Sequence, residues 1–153
     1  MEALEALYRG DQDAAYRLLP PDEELSAYEA ATFGRVDRLR RLVDEDPSRV
    51  NESSPDGFTP LHGAIFGGHE STARLLLEHG ADLEATSTGE VAQVRPLGTA
   101  AFTRSVALGR ILLEAGADPD AKNPSGHTAM DSALVNGDEA FVSLLREFGA
   151  SAR

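Results

Sequence analysis

The chain has 153 residues, 41% of them hydrophobic, which suits one compact domain with its own core and excludes global disorder. It contains no cysteine, so disulfides and thiol chemistry are excluded, and 14 basic against 26 acidic residues leave a formal charge of −12, which opposes nucleic acid and anionic membrane as partners. The acidic N-terminus MEALEALYRGDQD lacks the apolar run of a signal peptide, and no later stretch could span a bilayer, so a cytoplasmic location is expected.

Residues 2–19 read as a short helical pair turning at Gly10, ended by Pro20 and Pro21. PDEE at 21–24 puts carboxylates where a helix N-terminus favours them. The segment YEAATFGRVDRLRRLV at 28–43 aligns with HGAIFGGHESTARLLL at 62–77, an offset of 34 (28 to 62). Three further segments align: TPLHGAI at 59–65, RPLGTAA at 95–101 and TAMDSAL at 128–134, spaced by 36 and then 33 (59 to 95 to 128). Each is followed by an apolar run closed by glycine: LLLEHGAD at 75–82, ILLEAGAD at 111–118 and LLREFGAS at 144–151.

The local chemistry at these repeats is that of helix pairs. Thr59 can cap a helix through its hydroxyl, and Pro60 suits the first turn, where no N–H is needed. Thr128 repeats the cap, with Asp131 completing a capping box. Gly80, Gly116 and Gly149 stand where second helices end left-handed, and Gly68 and Gly137 at the turns between helices. Leu75, Leu76, Leu77 and their equivalents exceed what one hairpin can bury, and stacking of neighbours solves this. Where Leu77 and Leu113 stand in earlier units, the last has Arg146, as expected of a face that meets water.

The period of about 33 and the TPLH motif with its glycine-closed second helix resemble the ankyrin family, over roughly residues 22–151. The resemblance implies an all-α ankyrin-repeat solenoid of helix-turn-helix units with short β-turn fingers. It forms one domain, 1–153: an N-terminal helical cap at 1–21, then repeats at about 22–54, 55–86, 87–121 and 122–153. The third repeat departs most from the pattern. Its connection is three residues longer, within TSTGEVAQVR, Arg95 replaces the capping threonine, Gly98 the histidine and Arg104 the turn glycine, and drift is the simpler account.

His62 belongs to the TPLH motif, and the resemblance implies a structural bond to threonine and backbone. His69 and His79 sit at helix ends, where packing or the helix dipole explains them. His127 lies in a finger and is the histidine with a binding role in view. There is no HExxH, EF-hand loop, GxSxG, P-loop or GxGxxG, so no metal, cofactor or catalytic residue is expected.

In ankyrin proteins partners usually dock on the concave side, built from finger tips and the exposed ends of first helices. Carried over by position, that surface comprises Thr32, Phe33, Phe58, Phe66, Gly67, Val91, Val94, Phe102, Thr103, Ser125, His127, Val135 and Asn136. Four of the six phenylalanines fall there, which reads as a binding strip or as core tucked under the fingers. Glu29, Gly63, Thr99 and Ser132 occupy one mid-helix layer, where Gly63 leaves room for a ligand or a close-packed neighbour. The function expected is a non-catalytic protein-interaction module with another protein as partner. The strip residues proposed are Phe33, Phe58, Phe66, Val94, Phe102, His127, Val135 and Asn136. The alternative is a small-molecule or catalytic pocket using Tyr28, Glu29, His62, His127 and Asp131, and a homo-oligomer surface is a third reading.

Overall fold

A computed structural model describes residues 1–89 and 93–151. Among the described residues the regular structure is helical throughout, with no strand. A first helical pair, α1 (Glu2–Tyr8) and α2 (Gln12–Arg17), precedes four longer pairs. These are α3 (Ala27–Thr32) with α4 (Val36–Glu45), α5 (Pro60–Gly67) with α6 (Glu70–Glu78), α7 (Pro96–Phe102) with α8 (Val106–Glu114), and α9 (Ala129–Val135) with α10 (Glu139–Glu147). Short 3-10 turns at Asp22–Glu24 and Pro47–Asn51 link the early units.

The caps follow from side-chain chemistry. Thr59 and Thr128 accept from the backbone N–H three residues on, and His62 and Asp131 return a bond to the cap's own N–H. Ser26 and Glu29 form the same box at α3. Ser26 stands 33 residues before Thr59, whereas Gly34 stands 34 before Gly68, so α3 is one residue shorter than α5 between cap and turn. Arg95 makes no side-chain cap, and its guanidinium works elsewhere: Nε donates to the Lys122 carbonyl at 2.8 Å, and Nη1 to the Glu84 carbonyl at 2.8 Å and its carboxylate at 3.3 Å. The departure expected to be drift is thus a clamp between the connections flanking the third repeat. Arg104 takes the left-handed turn conformation that glycine takes at the equivalent positions, with φ of 58°.

Inner helices α3, α5, α7 and α9 stack in order, and outer helices α4, α6, α8 and α10 stack behind them. Alanines at the inner contacts (Ala30, Ala64, Ala100, Ala133) let these helices approach, while leucines from the outer row (Leu39, Leu76, Leu112, Leu145) fill one continuous core. Gly63 and Gly67 belong to this packing: a Cβ on either would overlap Thr32, through its side chain and its carbonyl respectively. Of the readings open for Gly63, a close-packed neighbour is the one realised. Arg146 is exposed on α10.

The N-terminal pair has a core of its own, made of Ala3, Ala6, Leu7 and Ala15 closed over Phe33. It does more than cover the end of the stack. It leans over the rim, so that the Tyr8 ring meets Phe66 edge-on at 5.5 Å and the Tyr16 hydroxyl lies 3.0 Å from His69 Nε2. Both contacts reach the second of the four longer pairs.

Candidate functional site

The concave side holds a cleft of about 600 Å³, lined mainly by apolar surface. The second long pair supplies Phe58, His62 and Phe66; the third supplies Val94, Arg95, Leu97, Gly98, Thr99 and Phe102. Ala121, Asn123, His127, Thr128, Ala129 and Ser132 come from the fourth, and Tyr8, Tyr28 and Asp56 complete the wall. Gly98 opens the space, because a Cβ built there would meet nothing within 4 Å. At the corresponding step of the second pair stands the His62 imidazole, and at that of the fourth Asp131. The absence of such a side chain in the third pair leaves the hollow.

One end of the cleft is aromatic. Tyr28 and Phe58 lie with planes 26° apart and centroids 6.5 Å apart, and Phe58 meets the His62 ring edge-on at 5.9 Å. The Tyr8 and Tyr28 phenol oxygens are hydrogen-bonded at 2.8 Å. Burial pushes the ionisation of both phenols up, most strongly for Tyr28, so both stay neutral hydroxyls.

His62 is only 1% exposed, and both its nitrogens are engaged. Nε2 donates to the Val94 carbonyl at 2.9 Å; Nδ1, left unprotonated, lies 2.8 Å from the Thr59 hydroxyl. Burial lowers its pKa, holding it neutral. The pair is a helix cap and a strut to the next connection, with no nitrogen left for proton transfer. No group of three or more metal-binding side chains occurs among the described residues.

Five of the expected strip residues come together here: Phe58, Phe66, Val94, Phe102 and His127 line the cleft. Phe102 stands 71% exposed at its mouth. Phe33 is a correction: it is 2% exposed, because α1 and α2 fold over it and Tyr16 packs edge-on against it at 5.4 Å. Thr32 is buried for a different reason: it packs against Gly63 and Gly67 of α5. Val135, 88% exposed, and Asn136, whose side chain donates to the Ala101 carbonyl at 3.3 Å, lie outside the lining. Val91 falls outside the described residues. Of the polar set weighed for a small-molecule pocket, Tyr28, His62 and His127 line the cleft, whereas the Glu29 and Asp131 carboxylates accept from the backbone N–H of Ser26 and Thr128. Tyr8, Asp56 and Asn123 were missed. Tyr8 lies in the N-terminal pair, which reads in sequence as a cap and not as part of the concave strip.

The family profile described as ankyrin repeats (3 copies) matches residues 2–87. Among curated relatives, ankyrin repeat domain-containing protein 49 of Bos taurus is 40% identical over 58 residues, 38% of this chain and 24% of the relative. Palmitoyltransferase akr1 of Aspergillus oryzae is 32% identical over 82 residues, 54% of this chain and 11% of the relative. Transient receptor potential cation channel subfamily A member 1 of Homo sapiens is 37% identical over 62 residues, 39% of this chain and 6% of the relative. The chain therefore spans a quarter or less of each of these relatives. No helix among the described residues is long and apolar enough to cross a membrane.

Proposed function

Because the chain belongs to the ankyrin-repeat family, we propose that it is a non-catalytic interaction module whose concave face binds a segment of another protein. Ankyrin repeats generally serve as protein-interaction modules. The observation that carries the proposal is the cleft, whose walls come from all four long pairs with their connections and from the N-terminal unit and which opens beside the exposed Phe102 ring. An anchor side chain of the partner enters the cleft, and the chain on either side of it runs along the finger tips. Such a central pocket with a polar rim is where interface energy concentrates.

Selection of peptides from a random displayed library tests this, with Gly98→Leu as the counter-target. The leucine fills the hollow from a helical position with free space around it, so the fold is retained. The reading expects selected peptides that bind the wild type and lose Gly98→Leu. A selection that yields only peptides indifferent to this change contradicts it.

A second reading, a small-molecule site, is favoured by one observation: the volume lies within the roughly 300–1,000 Å³ of ligand pockets. It predicts a small compound released on denaturing the purified wild type and absent from Gly98→Leu.

A further inference from the structure

We propose that the cleft receives an alkylammonium group, the cationic head of a lysine-type side chain on the partner segment. This rests on the reading of the cleft as the partner site. Tyr8, Tyr28, Phe58 and Phe66 surround one end of it. Aromatic faces attract a cation within about 6 Å of the ring centre, and they do so most strongly where water is excluded. The charges around those rings agree in sign. Asp56 lines the cleft and makes no ion pair among the described residues, and Asp56 and Glu29 both sit close enough to Tyr8 to oppose its ionisation. The permanent cation in the lining, Arg95, is held by the Glu84 carboxylate at 3.3 Å and by two carbonyls. A carboxylate or phosphate ligand would face Asp56 and meet an Arg95 guanidinium that is already engaged. A chain of net charge −12 also draws basic segments towards it.

Two seven-residue peptides test the proposal by calorimetric titration. They are identical except at the centre, where one carries Nε-trimethyl-lysine and the other the neutral isostere with carbon in place of the nitrogen. Shape and apolar surface are the same, and the quaternary nitrogen has no hydrogen to donate. The trimethyl-lysine peptide is expected to bind about ten-fold more tightly, equal to about 1.4 kcal/mol. Asp56→Asn, a change in an exposed turn, should shrink that preference several-fold while leaving the circular dichroism spectrum unchanged. Equal or tighter binding of the neutral isostere overturns the charge assignment and leaves the cleft as an apolar anchor site. Failure of both peptides to bind overturns this proposal, and if the displayed library also yields nothing sensitive to Gly98→Leu, the partner-site reading falls with it.

Discussion

The phenol oxygens of Tyr8 and Tyr28 lie 2.8 Å apart, and this bond fastens the N-terminal helical pair to the first long pair at the edge of the cleft. Each ring also meets a phenylalanine of the second long unit, Tyr8 with Phe66 and Tyr28 with Phe58. The N-terminal pair is therefore part of the site's wall as well as the end of the stack. Tyr8→Phe keeps the ring and removes the bond, and should lower stability by about 1 kcal/mol in urea unfolding. Tyr8→Ala also loses the edge contact, worth about 0.5–1.5 kcal/mol more, and should speed amide exchange in α1 before the rest of the molecule. Unchanged exchange in α1 would mean that the pair is held by its alanine-rich core alone.

Phe33 and Phe102 should separate cleanly. Phe33 is buried under α1 and α2, so Phe33→Ala is expected to cost about 3–5 kcal/mol. Phe102 projects into solvent, and Phe102→Ala should change stability by less than about 0.5 kcal/mol while weakening partner binding. Equal losses of stability in urea for the two variants would contradict this assignment.

The repeat architecture could be read in the sequence because its determinants are local. Thr59 with Pro60, Thr128 with Asp131, and the closing glycines each act within a few residues, and the structure has them in those roles. The cleft was half legible: the joint absence of threonine and histidine at Arg95 and Gly98 marked the irregular repeat, but that Gly98 leaves a hollow depends on how its neighbours stack. Phe33 was misassigned because equivalent positions in a repeat share exposure only when their neighbours are equivalent. At the first long pair the neighbour is the N-terminal unit, which folds over it. The contacts of Tyr8 with Tyr28 and of Tyr16 with His69 join residues 20 and 53 apart in sequence, outside the reach of periodicity.

Two glycine substitutions give opposite signs. Both Gly63 and Gly98 are helical, and alanine is favoured over glycine in a helix by about 1 kcal/mol. Around Gly98 the space is open, so Gly98→Ala should raise stability by up to about that amount. At Gly63 the added methyl would overlap the Thr32 side chain and crowd the Tyr28 ring, so Gly63→Ala should lower stability by about 1–3 kcal/mol. Thermal unfolding of the two variants checks both, and a stabilising Gly63→Ala would show that α3 and α5 are not in close contact there.

His62 and His69 make stability fall in mild acid. Burial lowers both pKa values below the ordinary 6.5, with Arg35 adding to the effect at His69. As pH drops through the ordinary value the unfolded chain takes up protons that the folded chain refuses, so the equilibrium shifts towards unfolding. The stability these groups contribute is thus present above about pH 6.5 and is lost progressively below it. Urea midpoints measured from about pH 7 down to about pH 5 should decline in the wild type and decline less in His62→Gln, which cannot titrate. Parallel declines would place the acid sensitivity elsewhere.

The site assignment is tested most directly by mapping aromatic and backbone NMR shifts while titrating a peptide selected on the wild-type protein. Binding in the cleft predicts that the largest shifts fall on Phe58, Phe66, Phe102 and His127, with Tyr8 and Tyr28 following, and that Gly98→Leu abolishes them. Shifts confined to the outer helices α6, α8 and α10, unaffected by Gly98→Leu, would contradict the concave cleft as the place where this protein meets its partner.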